Sequence, residues 1–205
     1  MRKNNIILLA LLVFFSSYTT SFAKNYGYFS SQDDNFKKYC NQGNEYIDKK
    51  DFNKAIKSYE EALKINPKQM QALGELCFCY SQIEDYGKMI ETAKNGLLIA
   101  QQQISEDNIG RFYGYLGNAY KMQEKYDEAI KYLKLAQYNK PYYYDNILSL
   151  AYCYFKTKRY KRAFDCYDYL KSKDPDFYEQ KDLDKEIIII YKDWRKNDFA
   201  IKHLN

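Results

Sequence analysis

Asp51-Phe52-Asn53-Lys54-Ala55-Ile56 returns in altered form three times along the chain. Moved by 34 residues, it falls on Asp85-Tyr86-Gly87-Lys88-Met89-Ile90. With six more residues allowed, it falls on Lys125-Tyr126-Asp127-Glu128-Ala129-Ile130, and a further 34 bring it to Arg159-Tyr160-Lys161-Arg162-Ala163-Phe164. Pro141 and Pro175 are 34 apart as well. A fixed period of this size marks an architecture of stacked repeats. Four of them emerge: 36–69, 70–103, 110–143 and 144–177.

Working outward from that block, several columns hold their character. The eleventh position is Tyr46, Tyr80, Tyr120 and Tyr154; the seventeenth is Phe52, Tyr86, Tyr126 and Tyr160. The eighth is small, as Gly43, Cys77, Gly117 and Ala151, and the twentieth is Ala55, Met89, Ala129 and Ala163. Each repeat reads as two helices. In the first, Tyr39, Gly43 and Tyr46 recur at helical spacing, Lys49-Lys50-Asp51 breaks the run, and Ala55, Tyr59 and Ala62 line a second helix that Asp51 can cap. Pro67 follows that second helix, where its missing N–H does no harm. The small eighth and twentieth columns let the two backbones approach, and the column-eleven Tyr fills the space beyond.

This order of columns over 34 residues resembles the tetratricopeptide repeat. Repeats one, three and four match the pattern closely; repeat two departs from it at Met89, Ala93, Gly96 and Gln101. The resemblance implies an all-α fold, a right-handed α–α superhelix of four helix–turn–helix repeats with a concave groove. It implies protein–protein interaction as the function and leaves the ligand unnamed.

The third, seventh, tenth and fourteenth positions of each first helix should face the preceding repeat. They are apolar in repeat two (Ala72, Leu76, Cys79, Ile83) and mainly apolar in repeat three (Phe112, Leu116, Ala119, Gln123). In repeat one they are Lys38, Gln42, Glu45 and Lys49, a face too costly to bury, so repeat one is the free end of the array. Residues 24–35 then read as a flexible leader. The far end needs a lid. Leu183, Ile187, Ile190, Tyr191 and Trp194 share one helical face, which predicts a capping helix over about 179–196 within a terminal segment 178–205, with Trp194 in the core. The insertion 104–109 is expected to lengthen the neighbouring helices or their turn, with Ser105 as a cap.

The beginning of the chain differs from the rest. Arg2 and Lys3 precede an apolar run from Ile6 to Phe15, then small polar residues and Ser21-Phe22-Ala23. That is the layout of a secretory signal peptide, residues 1–23, with cleavage expected after Ala23 and a periplasmic or secreted product. The run is shorter than the about 20 residues of a bilayer-spanning helix, so membrane contact is expected to be transient.

Composition narrows the function classes. The formal charge is only +5, two of it from Arg2 and Lys3, which gives no support to a nucleic-acid partner. The 205 residues hold one histidine, His203, near the C-terminus. No Ser-His or Cys-His arrangement can be built on the body of the protein, and there is no phosphate-cradling glycine loop and no C-x-x-C. No enzyme, metal site or cofactor is expected. The five cysteines, Cys40, Cys77, Cys79, Cys153 and Cys166, fall at packing positions and read first as buried thiols, with one bridge or a redox role as the alternative.

The family resemblance places the groove at five columns of each first helix. The residues expected there as partner contacts are Asn44, Ile47, Phe78, Gln82, Arg111, Asn118, Lys121, Leu148, Tyr152, Phe155 and Lys156. Asn44 and Asn118 can grip a peptide backbone through paired amide contacts. Phe78, Leu148, Tyr152 and Phe155 bring apolar groups suited to interaction, and for Phe78, Tyr152 and Phe155 packing against neighbouring repeats or the leader is the alternative. The chaperone-binding members of the family clamp a C-terminal carboxylate with a basic residue where this chain has Cys40, and Glu75 occupies another clamp position; the clamp is not matched. The leading expectation is an exported protein that binds a partner polypeptide. The alternatives are a glycan- or cell-wall-binding protein using its 24 tyrosines, or a purely structural envelope scaffold.

Overall fold

The computed structural model describes residues 33–140 and 143–204, with side chains to residue 196. The expected signal peptide and most of the expected leader lie outside the described residues. The described residues form ten helices and no strand. They are α1 (Asp34–Asp48), α2 (Phe52–Ile65), α3 (Met70–Gln82), α4 (Tyr86–Gln102), α5 (Glu106–Met122), α6 (Tyr126–Asn139), α7 (Tyr144–Lys156), α8 (Tyr160–Lys173), α9 (Pro175–Gln180) and α10 (Leu183–Leu204). The chain divides into two compact parts, one up to Cys79 and one from Tyr80 onward, with α3 crossing the division. Each is described by itself.

In the first part, α1 begins earlier than the leader reading allowed. Asp33 caps it by accepting from the amides of Asn35 and Phe36 at 2.9 and 3.0 Å, so residues 33–35 belong to the helix start. Gly43 sets the approach of α2: a Cβ there would stand 2.7 Å from the Tyr59 ring. Tyr59 is fully buried with Phe36, Cys40, Ala55 and Ala62 as the core. The column facing a preceding repeat keeps its charge and its water: Lys38, Glu45 and Lys49 are exposed.

The turn between the paired helices is built the same way each time. At Lys50, Glu84, Glu124 and Lys158, the fifteenth column, φ lies between 58° and 60°. The following amide donates to the column-eleven carbonyl: Asp51 to Tyr46, Asp85 to Tyr80, Lys125 to Tyr120 and Arg159 to Tyr154, at 2.8–3.0 Å. This is a Schellman closure, which usually takes glycine at its left-handed residue. Here lysine and glutamate carry the strain, and no column signal in the sequence announced it. Asp51 and Asp85 cap the helices that follow, each accepting from the amide three residues on, at 3.2 and 3.0 Å.

In the second part, α4 pairs with α5, α5 with α6, α6 with α7 and α7 with α8. Gly117 of α5 lies against α6, where a Cβ would stand 2.5 Å from Leu133 Cγ. The insertion lengthens α4 and α5 to 17 residues each and closes with a further left-handed residue, Ile104 at φ 53°. Ser105 stands at the N-cap, yet its hydroxyl accepts from the Asn108 side chain at 2.8 Å and makes no cap bond.

The end of the array corrects two expectations. The lid is two helices, because Pro175 opens α9 and Asp182, at φ 51°, ends it; α10 starts only at Leu183. Leu183 and Ile190 are buried, but Trp194 is 41% exposed and Tyr191 44%. Trp194 touches Phe164 edge-on at 6.2 Å with one side open, so it is a rim residue and not core. Three phenols tie α10 down: Tyr160 donates to Asp193 at 2.9 Å, Tyr167 to Glu186 at 2.7 Å and Tyr178 to Asp184 at 2.6 Å. All five cysteines are buried free thiols, as their columns suggested.

Candidate functional site

The first part holds Asn44, Ile47 and Phe78. Asn44 is turned toward α2, where its Oδ1 accepts from the Tyr59 hydroxyl at 2.6 Å. That bond satisfies a buried phenol and takes one side of the amide away from any outside strand. Ile47 is half-buried on the last turn of α1. Phe78 is buried, edge-on to Phe52 at 6.1 Å, so it is a packing residue and not a wall of a groove. Cys40 and Glu75, at the unmatched clamp positions, are buried in the same part.

The second part brings together more of the expected residues. Lys121 of α5 donates from Nζ to Ser149 Oγ of α7 at 2.8 Å. Ser149 donates in turn to Asn118 Oδ1 at 2.8 Å, and Asn118 Nδ2 donates to Asn146 Oδ1 at 3.3 Å. The result is a ladder of polar side chains running between the first helices of repeats three and four. Gly114 makes room for it, since a Cβ there would stand 2.7 Å from Asn146 Nδ2. Every rung is a side chain that burial would penalise if left alone.

Lys121 is the charged member of that ladder. Burial pushes its ammonium below the ordinary lysine range, opposed by Cys153 and Asp145 through space. Among the described residues the only acceptor at hydrogen-bond distance is the neutral Ser149 hydroxyl, and no carboxylate stands within 4.0 Å. A lysine ammonium has three donors. Two are therefore uncommitted at the edge of the ladder.

Further along the same face of α7 come Tyr152 and Lys156. Tyr152 is half-buried, edge-on to Tyr126 at 6.1 Å, and burial raises its phenol above the usual range. Lys156 is exposed, with Nζ 5.6 Å from the Tyr152 ring centre and 5.7 Å from that of Tyr126. Ser149 and Lys156 are two turns apart, roughly 10 Å along one helix face. Phe155 is half-buried beside Tyr160, with ring centres 6.3 Å apart. Leu148, by contrast, is buried, because α7 is covered by α5, α6 and α8; it is a core residue and not a contact. Gln82 is half-buried and donates to Ser81 at 3.3 Å, and Arg111 is half-buried on the second turn of α5.

Sequence reasoning missed Asn146 and Ser149, without which the ladder would not exist. A signal was present for Asn146: it holds the third column, which is apolar in repeats two and three as Ala72 and Phe112. A polar residue in a buried apolar column needs a partner, and Asn118 is that partner.

Paired helices of even length, a small residue where they touch and a Schellman turn at a constant column define an all-α helical-repeat protein. Comparison with known proteins names the repeat. Residues 36–69 and residues 110–143 each match a model of the tetratricopeptide repeat, over the bounds that the internal period set. The chain carries tetratricopeptide repeats at these two places. One curated relative, "Hsp70-Hsp90 organising protein" of Plasmodium falciparum (isolate 3D7), is 30% identical over 91 residues, which is 44% of this chain and 16% of that protein. The chain thus spans a small fraction of that relative's length. Among solved structures, "Crystal structure of MamA protein" is similar at 24% identity and a TM-score of 0.61, covering 81% of this chain and 93% of that one. "MamA 41-end from Desulfovibrio magneticus RS-1" is similar at 13% identity and a TM-score of 0.63, covering 83% and 98%. These two likenesses establish the shared fold. Tetratricopeptide repeats mediate protein–protein interaction, and the fold is typically a non-enzymatic scaffold.

Proposed function

We propose that this protein binds a segment of a partner polypeptide along the face that α5 and α7 share. The observation that carries the reading is Lys121: a part-buried ammonium with two uncommitted donors, set at the edge of a ladder that is otherwise satisfied. A carboxylate or backbone carbonyl of the partner completes its coordination, and the Tyr152–Lys156 surface beyond it supplies apolar area and a second positive charge. Asn118 and Ser149 hold Lys121 in place and are only secondarily contacts. The protein does this work without catalysis. It does so outside the cytoplasm, a reading supported by Arg2, Lys3, the apolar run Ile6–Phe15 and the small residues before Lys24.

The test is photocrosslinking in native cells from a reactive residue placed at Phe155. A discrete partner chain is expected to be captured, and to be lost in Lys121→Met and in Tyr152→Ala. The same captured chain at undiminished yield in both variants rules the face out. N-terminal sequencing of the native protein checks the export reading; it is expected to begin at Lys24, and retention of Met1 contradicts it.

A further inference from the structure

The lid helix α10 keeps the register of the array. If Lys181 is counted as a first position, the columns that face a preceding repeat fall on Leu183, Ile187, Ile190 and Trp194. Leu183 and Ile190 are buried and Trp194 meets Phe164 of α8, as those columns require. The eleventh column then falls on Tyr191, continuing Tyr46, Tyr80, Tyr120 and Tyr154. The eighth falls on Ile188. α10 thus carries these columns of a first helix, although it runs on to Leu204 where the first helices of the repeats end at column thirteen.

What differs is the cover. In repeats one to three the column-eleven tyrosine is met by a side chain of its own second helix. Lys54 stands 5.5 Å from the Tyr46 ring centre, Lys88 5.5 Å from that of Tyr80, and Tyr132 stacks on Tyr120 at 5.4 Å. Among the described residues, Tyr191 is met only from its own helix, by Trp194 edge-on at 5.7 Å and by Arg195 at 5.8 Å. Column eight is buried in all four repeats, yet Ile188 is 50% exposed. Among the described residues no second helix lies on this face.

Charge says what kind of helix fits. Three acids of α10, Asp184, Glu186 and Asp193, each accept from a tyrosine. The bases just past Tyr191, Lys192, Arg195 and Lys196 in the middle of α10, have no ion-pair partner among the described residues. An antiparallel helix laid over Ile188 and Tyr191 brings its N-terminal turn beside those bases. α6 shows the matching form: an acidic first turn in Asp127 and Glu128, then Ala129, Leu133 and Ala136 along its buried face. Acidic residues are also those favoured at a helix N-terminus.

We infer that the open face of α10, centred on Ile188 and Tyr191, receives an amphipathic helix of a partner protein, acidic in its first turn and small or aliphatic along its contact stripe. The partner helix lies on the side where a second helix would stand, further out than in the repeats because column eight is Ile188 and not a small residue. This site is separate from the α5–α7 face and does not depend on it.

The test uses the full-length protein and its single tryptophan, Trp194, as reporter. A synthetic peptide of the α6 sequence, Tyr126–Asn139, is titrated against it, with the α8 sequence, Tyr160–Lys173, as the comparison because its first turn is not acidic. The α6 peptide is expected to shift Trp194 emission saturably, and the α8 peptide to bind about five- to tenfold more weakly, the difference a few exposed ion pairs make. Ile188→Asp, a change at an exposed position, is expected to abolish the response without moving the melting temperature. Lys121→Met is expected to leave it intact. Equal binding of both peptides, an undiminished response in Ile188→Asp, a loss in Lys121→Met, or an emission change driven by protein concentration alone each overturns the inference. The Lys121→Met result also separates its failure from failure of the α5–α7 reading.

Discussion

Two glycine-to-alanine changes should have opposite signs, and the reason can be worked from the packing. Gly117→Ala and Gly87→Ala make the same chemical change in a helix, and each gains up to about 1 kcal/mol of helix propensity. At Gly87 the added methyl meets only Asp85 Oδ1, at an ordinary 3.6 Å. At Gly117 it meets Leu133 Cγ at 2.5 Å, Cδ2 at 2.8 Å and the Leu133 amide nitrogen at 3.1 Å. A flexible side-chain tip could swing aside, but Cγ and a backbone nitrogen cannot. α6 must move as a body from α5, and Leu133, fully buried, must give up contacts. Overpacking of this kind costs about 1–3 kcal/mol, which exceeds the propensity gain. Gly87→Ala is therefore expected to stabilise by about 0.5–1 kcal/mol and Gly117→Ala to destabilise by about 1–2 kcal/mol. For a chain of this size the second is a fall in midpoint of about 3–6 °C. Thermal melts followed by far-UV circular dichroism decide it. A Gly117→Ala protein that melts at or above the wild-type temperature refutes the close-approach argument, and with it the account of why the eighth column is small.

Ile104 is a β-branched residue at φ 53° and 84% exposed, so Ile104→Gly removes strain and sacrifices almost no burial. Chemical denaturation is expected to show a gain of about 0.5–1 kcal/mol, and a loss would contradict it. Burial raises the Glu186 carboxyl above its usual 4.5, with the Tyr167 hydrogen bond opposing. A raised acid favours the fold when protonated, so its contribution is full below the ordinary value and is lost as pH rises through the elevated one. Glu186→Gln is accordingly expected to raise the melting temperature at neutral pH and to have little effect in acid; a larger gain in acid than at neutrality would reverse the sign. Burial also pushes the thiols of Cys40, Cys153 and Cys166 up to about 12. Labelling by a thiol reagent is expected to proceed at the rate of unfolding for all five cysteines, and rapid reaction of any one in the native protein would place it outside the core.

The repeats were legible because their columns are packing constraints. A tyrosine recurring at 34 residues, once widened by the six-residue insertion, and a small residue three places before it mark a repeated packing contact, and repeats one and three have the bounds the period gave. The left-handed turn residues were not legible, since Lys50, Glu84, Glu124 and Lys158 carry no chemistry that favours φ near 60°; the Schellman bond imposes it. The lid was misplaced at its start because periodicity cannot sense a break whose cause is backbone geometry at Asp182. Trp194 misled because a position on the right face can still overhang the helix beneath it. At the candidate site, column position located Asn118 and Lys121 but not their partners across the helix pair. It also set Phe78 and Leu148 on the groove, when neighbouring helices close over both.

The charged leading edge of α1 sets a rule for assembly. Proteins built from stacked modules risk joining front to back without limit, because each end resembles the interior of its neighbour. Lys38, Glu45 and Lys49, all exposed where later repeats carry Ala72, Leu76, Phe112 and Leu116, would each have to be stripped of water before another copy could stack on this face.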